Sequence, residues 1–394
     1  MKKYIFILAA ILMVAMAGFN ACGKKNDPDD NPDNPGDGST GNPFKVAVVA
    51  DLKRVGTGEE GPGGLKWERN KHYKQVADIN LNGVNWNPIC GDTPDIGWFT
   101  GSYDGGGYTV SNLTITEGNQ HIGLFGNVDG IIKNVWLNCV RISGKEDVGS
   151  VVGFLRTGGT IEHCSVNDIE ISANRIVGGL VGSVYNNATV NACMVTKGTV
   201  TGNSGFTYYL TGGIAGENTN GTIKNCYATV NVTGHQQVGG IVGYNEGNAT
   251  VQYCYATGNV TSSIIEVGGI AGKNSGKILN CVALNAQIAR QTANHLDVNN
   301  LPVIGRIIGS NSNSPVYPGT MNNNYARSDM TLTTNAVTFP LGEQEKLNGV
   351  HGENVTETNY TGDNSGTWWS GTAGFPGAEW TFQANMLPRL KGFD

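Results

Sequence analysis

Aromatic side chains recur at one position of a repeated sequence, where they could stack on sugar rings. Two of the four follow a recurring cysteine, in Cys226-Tyr227 and Cys254-Tyr255, and the other two occupy the equivalent repeat position. If the cysteine points into a core, alternation along a strand turns the next side chain outward. A row of flat outward rings suits glycan binding, although β-propensity and packing between strands favour the same residue types. The candidate binding residues of this row are Trp136, Tyr227, Tyr255 and Tyr325.

An insert at residues 203–210 carries three further aromatic residues, Phe206, Tyr208 and Tyr209. Loops supply a disproportionate share of binding residues in proteins. These three side chains are therefore a second candidate for ligand binding, and a lid over the core is the alternative.

Acidic residues and histidines form no recognisable catalytic or metal-binding pattern. Glycoside hydrolysis needs two positioned carboxylates, but the acidic residues of the repeats occupy scattered frames. The sequence contains neither His-Glu-x-x-His nor Cys-x-x-Cys, the spacings typical of zinc sites. We therefore expect no catalytic residue, no cofactor and no metal. The acidic residues are Asp147, Glu162, Asp168, Glu170, Glu217, Glu246 and Glu266.

Five cysteines share one repeat position. Export often brings disulfides, but seven cysteines follow Cys22, and an odd number cannot all pair with one another. A small apolar side chain at one position of every unit favours a ladder of free, buried thiols. These cysteines are Cys164, Cys193, Cys226, Cys254 and Cys281.

Two refrains define the repeat that must position these residues. One is Gly-Gly-apolar-small-Gly, as at residues 178–182, and the other is exemplified by residues 223–229. The last glycine of the first refrain recurs at intervals of 27, 29, 34, 27, 29 and 37 residues. A unit near 28 residues with short β-prone runs is too short for a crossover helix or a propeller blade.

The expected fold is all-β, a right-handed single-stranded parallel β-helix with N- and C-terminal caps. Like positions would stack about 4.8 Å apart. We expect the N-terminal cap at 44–75, the β-helix at 76–335 and the C-terminal cap at 336–394. Trp368, Trp369 and Trp380 would cover the open end of the core.

The N-terminal region has the composition of a targeting segment followed by a linker. In residues 1–21, two lysines precede an apolar run too short for a typical membrane span. This stretch resembles a bacterial lipoprotein signal peptide, which implies that Cys22 becomes the lipidated N-terminus. Residues 22–43 are rich in Asp, Asn, Pro and Gly, the composition of a flexible tether. Their acidic character resembles the surface-export signal of Bacteroidetes lipoproteins and implies a surface-exposed outer-membrane lipoprotein.

Charge argues against nucleic acid as a partner. The chain has 26 basic and 32 acidic residues, and loss of 1–21 would remove Lys2 and Lys3. No basic stripe is present, so the electrostatic footprint of a nucleic-acid-binding protein is missing.

The two refrains resemble the GLUG-motif repeats of bacterial surface and adhesin-like proteins, which also occur in some immunoglobulin A proteases. Residues 99–113, the Gly123–Gly126 stretch and the ending 387–390 are similar to the borders of such arrays. The expected anchor, the tether, the rigid rod and the aromatic residues together favour a non-catalytic, lipid-anchored, adhesin-like surface protein that binds a glycan or a host or matrix component. Two alternatives remain: a polysaccharide lyase or glycoside hydrolase on a β-helix, and a ligand-free structural subunit of an outer-membrane complex.

Overall fold

Short parallel strands stack coil upon coil in the computed structural model. It describes residues 35–92, 97–203, 208–292, 303–312, 314–338 and 349–393. Strands from successive coils pair in parallel, with like positions of the repeat in register. The chain is thus a β-solenoid of about ten turns, and the expected parallel β-helix is confirmed.

Three sheets form the walls of the solenoid. The first sheet contains Phe44–Val46, His72–Gln75, Ser102–Asp104, Ile131–Lys133, Thr160–Glu162, Thr189–Asn191, Thr222–Lys224, Thr250–Gln252, Lys277–Leu279 and Thr320–Asn322. The third sheet contains Phe125–Val128, Val152–Leu155, Val181–Tyr185, Ala215–Thr219, Val242–Glu246, Ala271–Asn274 and Ile308–Asn311.

The second sheet lies between them along each coil, and its strands are long in the early coils and divided in the later ones. It contains Ile79–Asn80, Thr109–Ser111, Thr114–Ile122, Trp136–Val148, Ser165–Ala173, Ile176–Gly178, Met194–Gly202, Leu210–Gly212, Tyr227–Ala228, Asn231–Gly234, Gln237–Gly239, Tyr255–Ala256, Val260–Ser262, Val267–Gly268, Val282–Ala283, Gln287–Arg290, Ile304–Gly305, Tyr325–Arg327, Thr331–Thr334, Val337–Thr338 and Glu353–Val355.

The corner between the first and second sheets explains the Asn-Cys refrain. Asn225 and Asn280 have φ near +52°, a left-handed conformation that Asn tolerates better than most residues. The five cysteines that follow this corner position are free and fully buried, as predicted. Each thiol lies 3.0–3.4 Å from the carbonyl oxygen two residues earlier.

Close backbone contact explains the paired glycines of the first refrain. They form the corner between the second and third sheets. A Cβ on Gly213 would lie 2.1 Å from the Gly240 carbonyl oxygen of the next coil, and a Cβ on Gly240 would lie 2.1 Å from Gly269. Any side chain here would push neighbouring coils apart.

Apolar residues of every coil fill the interior, as Val181 and Val242 do at 0% exposure. A polar ladder runs beside them. Asn218, Asn245, Asn274 and Asn311 are joined in series by side-chain hydrogen bonds of 2.9 Å. Because each bond satisfies a buried amide, the ladder also fixes the register of the coils.

The N-terminal end begins the solenoid earlier than expected. The strands Phe44–Val46 and His72–Gln75 already belong to the first sheet, although they lie in the segment assigned to the cap. Between them, helix α1 (Val49–Arg54) and the hairpin of Thr57–Glu60 and Lys66–Glu68 close the end.

The C-terminal segment does not cap the open end of the core with its tryptophans, so that expectation is wrong. It contains α2 (Glu357–Thr361), α3 (Ser365–Thr367), a π-helical turn (Trp368–Thr372) and a hairpin of Trp380–Thr381 and Arg389–Leu390. It packs along the outer flank of the second sheet in a separate hydrophobic cluster. Within the described residues no helix has the length and apolarity of a membrane span.

Candidate functional site

The predicted aromatic row lies outside the solenoid core but is covered. Tyr227 and Tyr255 stack with centroids 4.8 Å apart. Trp369 and Trp380 pack over Tyr255 at 5.6 and 5.8 Å, and only 2% of Tyr255 remains exposed. The Tyr255 hydroxyl donates a hydrogen bond to the Pro388 carbonyl, 3.0 Å away.

The two ends of the row are covered to different extents. Tyr325, 5% exposed, packs edge-on against Trp368, and Trp136 lies 6.1 Å from Phe393. The expectation that this row presents rings to a ligand is therefore wrong for Tyr255 and Tyr325, whereas Trp136 and Tyr227 remain partly exposed. Outward-pointing apolar rings are costly in water, and the C-terminal segment removes that cost by burying them.

The aromatic insert divides between interior and surface. Phe206 lies outside the described residues. Tyr209 is buried, edge-on to His235 at 4.7 Å. Tyr208 is half-buried, and its hydroxyl donates to Glu217 Oε1 at 3.1 Å. Of this candidate group, only Tyr208 is seen at an accessible surface.

Rings that do reach solvent lie on the outer face of the third sheet, in a group that we call the aromatic patch: Trp98, His121, Phe154 and Tyr185. Trp98 is 42% and Tyr185 37% exposed. Phe154 stacks on His121 at 5.1 Å and lies 6.0 Å from Tyr185. Trp98, Phe154 and Tyr185 come from three coils on the third-sheet side, and His121 is contributed by the adjoining second-sheet strand Thr114–Ile122.

Arg156 contacts two rings of the aromatic patch. Its guanidinium lies 3.5 Å from the centre of the Trp98 ring and 5.8 Å from that of Phe154, within cation–π range. Arg156 Nε and the neighbouring Asp129 Oδ1 have no hydrogen-bond partner in the described part of the chain. Burial raises the pKa of Asp129.

Carboxylates continue the same face toward the C-terminal coils, in a group that we call the acidic patch: Glu217, Glu246 and Glu266, with Tyr208 and Tyr244. Parallel register places Glu217 beside Tyr244 and Thr219 beside Glu246. The Thr219 hydroxyl lies 3.2 Å from Glu217 and 3.4 Å from Glu246. These carboxylates do occupy different frames of the repeat, but positions two residues apart share one face of a strand, so the stacked coils bring Glu217 and Glu246 close together.

Glu217 has the most perturbed carboxyl of the face. Loss of solvation raises its pKa to about 7, and the nearby charges of Asp147 and Glu246 act in the same direction. Burial also raises the pKa of Tyr208 and Tyr244, and the nearby charges of Glu217 and Glu246 act on both tyrosines in the same direction. Within the described residues no three metal-ligating side chains converge.

A sequence signal for this face existed. The residue directly after the last glycine of the first refrain lies on the outer side of the third sheet, although Asn127 and Ser183 are buried there. Read down the chain, this row is Asn127, Phe154, Ser183, Glu217, Tyr244, Lys273 and Ser310. Because no residue type recurs in this row, it is less apparent in the sequence than the tyrosine-rich row.

Known proteins share the repeat and the fold. Residues 207–233 and 234–261 match the family described as the GLUG motif. Halomucin of Haloquadratum walsbyi is 35% identical over an alignment of 130 residues, which covers 30% of this chain. The match spans only 1% of the length of halomucin.

A solved structure is similar over almost the whole chain. It is described as a "putative immunoglobulin A1 protease" from Bacteroides ovatus, and it aligns with a TM-score of 0.59. The alignment covers 91% of this chain and 95% of that one, at 20% identity. At that identity the likeness establishes a common fold and nothing about activity.

Proposed function

We propose that this GLUG-repeat protein is a non-catalytic, lipid-anchored protein of the outer cell surface that binds a glycan. The solenoid would present the outer face of its third sheet as the binding surface. The observation that carries the proposal is the aromatic patch, where Trp98 and Tyr185 expose ring area beside half-buried Phe154.

The chemistry of the patch supports a sugar ligand. Pyranose rings have an apolar C–H face and polar edges, so they need flat rings and hydrogen-bonding groups side by side. Aromatic side chains supply contact area with little conformational freedom to lose. Arg156 and the carboxylates of the acidic patch supply donors and acceptors along the same face.

Glycan-array binding by the purified protein tests this proposal. The double variant Trp98→Ala, Tyr185→Ala should lose binding by about tenfold or more, since each ring contributes on the order of 1 kcal/mol or more. Tyr317→Ala is the matched control, because Tyr317 is 43% exposed elsewhere. Full binding by the double variant would reject the aromatic patch as the site.

The anchor is a separate part of the proposal and has its own test. Acylation of Cys22 would hold the protein at a membrane, since each buried CH₂ contributes about 0.8 kcal/mol. Mass spectrometry of the N-terminal peptide should find acyl chains on Cys22. Cys22→Ala should release the protein from the membrane fraction. An unmodified or internally cleaved N-terminus would refute the anchor without affecting the binding site.

Glycoside hydrolysis is the second candidate, favoured by one observation. Glu217 and Glu246 lie on adjacent coils and share the Thr219 hydroxyl, and the pKa of Glu217 is about 7. A proton-donating carboxyl near neutral pH is what such an acid needs. Release of new reducing ends from a bound glycan, abolished by Glu217→Gln, would establish this activity in place of simple binding.

A further inference from the structure

The two patches belong to one strip that runs along the solenoid axis. Parallel register links Phe154 to Ser183, Ser183 to Glu217 and Glu217 to Tyr244 on successive coils. The strip therefore has an aromatic end near the N-terminal coils and a carboxylate end further on. Ser183, between the two ends, is buried beside Asp147, so a ligand lying along the strip would contact the rings at one end and the carboxylates at the other.

Carboxylate oxygens at the acidic end remain available to accept hydrogen bonds. Glu217 Oε1 accepts from Tyr208 and Thr219, and Glu246 Oε2 accepts from Thr219. Within the described residues, Glu217 Oε2 and Glu246 Oε1 have no such partner. Because their neighbours hold these side chains in place, little freedom is lost when a ligand hydroxyl binds.

The face carries few cations. The strands of the third sheet carry one basic residue, Lys273, whose Nζ lies 3.6 Å from Glu266 and 5.4 Å from the Tyr244 ring centre. Arg156, which follows one strand, covers the Trp98 ring. His121 lies 3.4 Å from Asp147. Arg156 has no ion pair among the described residues, but Glu217, Glu246, Glu266 and Asp147 outnumber the cations of the face, so an anionic ligand would be repelled on balance.

We propose, on the basis of the function above, that the ligand is a neutral glycan of flat pyranose rings with equatorial hydroxyls. Such rings stack on the aromatic patch through their C–H faces, and their hydroxyls donate to Glu217 and Glu246. Glycans that carry uronate, sialate or sulfate groups are repelled by the same carboxylates. The aromatic rings supply the contact area for the ligand, and the carboxylates exclude negatively charged ligands.

The length of the strip sets the length of glycan that it binds. Five coil-to-coil steps separate the level of Trp98 from that of Tyr244. At about 4.8 Å per step this distance is about 24 Å, room for about five or six sugar rings in an extended chain. Affinity should rise with chain length up to that size and then level off.

Calorimetric titration of the purified protein tests the inference with three classes of oligosaccharide. The neutral class comprises cello-, xylo- and N-acetylchito-oligosaccharides, the acidic class oligogalacturonates, and the basic class chitosan oligomers. We expect one neutral series to bind, with the hexamer at least about tenfold tighter than the dimer, and the acidic series not to bind.

Two variants connect the result to the strip. Trp98→Ala should weaken the neutral hexamer about tenfold, and Glu246→Gln should weaken it severalfold. Tyr317→Ala and Glu59→Gln, exposed residues elsewhere, should not change the affinity. Thermal melting of each variant establishes that it is folded.

Each other outcome has a defined meaning. Equal binding of acidic and neutral oligomers would overturn the charge selectivity and leave glycan binding intact. Binding of chitosan oligomers alone would overturn the inference in favour of a cation-binding face. Absence of binding by every series would overturn both the inference and the proposed function.

Discussion

At the scale of single residues, Glu217 has a carboxyl whose environment differs strongly between the folded and unfolded states. Its ordinary pKa is 4.5, and desolvation raises the pKa to about 7 in the folded protein. Between these two values the folded state binds more protons than the unfolded state. Stability contributed by this group therefore falls as the pH rises from about 4.5 to about 7.

Replacement of Glu217 by Gln removes this ionisation. The Tm difference between Glu217→Gln and the unchanged protein should become more favourable to the variant as the pH rises from 4 to 8. Differential scanning calorimetry across that range measures it. Glu59→Gln, at an exposed position, should show a flat difference. A flat difference for Glu217→Gln as well would contradict the proposed environment of Glu217.

At the scale of elements, the C-terminal segment is a second hydrophobic unit laid against the solenoid. Trp380 is 1% exposed, and its Nε1 donates to Asn225 Oδ1 at 3.3 Å. Asn280 donates to the Ala373 carbonyl at 3.1 Å. The corner asparagines thus hold the segment in place as well as turning the chain.

Trp380→Ala should loosen this segment before the solenoid unfolds. Loss of a buried Trp typically costs about 3–5 kcal/mol, and few backbone pairings join the segment to the coils. Limited proteolysis should cut within 349–393 first and leave a resistant solenoid. Trp98→Ala removes an exposed Trp and should leave the cleavage pattern unchanged. Simultaneous cleavage of coils and segment would show that they form one cooperative unit.

The sequence predicted what depends on local periodicity and failed where contacts are distant. The thiol ladder and the parallel coils follow from a repeat of about 28 residues, so they could be predicted. The cover over Tyr255 could not, because its contact with Pro388 spans 133 residues and the segment has no period. The row containing Phe154 and Glu217 could have been identified from its repeat position, but its residue type varies from coil to coil.

At the scale of the whole molecule, stability is shared between neighbouring coils. A coil of 28 residues cannot offset its own ordering entropy, so interfaces between coils must stabilise the fold. Val242 illustrates the dependence, because it is fully buried and pairs with Ala215 below and Ala271 above.

Val242→Asp should therefore unfold several coils together. A buried charge without a partner costs several kcal/mol. The neighbouring coils would also lose the strand with which they pair. Thermal melting followed by circular dichroism should show a lower midpoint and a shallower transition. Thr233→Asp, on an exposed strand position, is the control. A cooperative transition at the original midpoint for Val242→Asp would contradict stacking of the coils as the source of stability.

Hydrogen exchange of the protein with and without a bound neutral oligosaccharide tests the central claim most directly, that the third sheet's outer face binds a glycan. We predict slower exchange in Val152–Leu155, Val181–Tyr185 and Ala215–Thr219, and no change in the C-terminal segment. Protection confined to the flank that carries Tyr227 and Tyr255 would contradict the account, because it would mean that the ligand displaces the cover and binds the buried row.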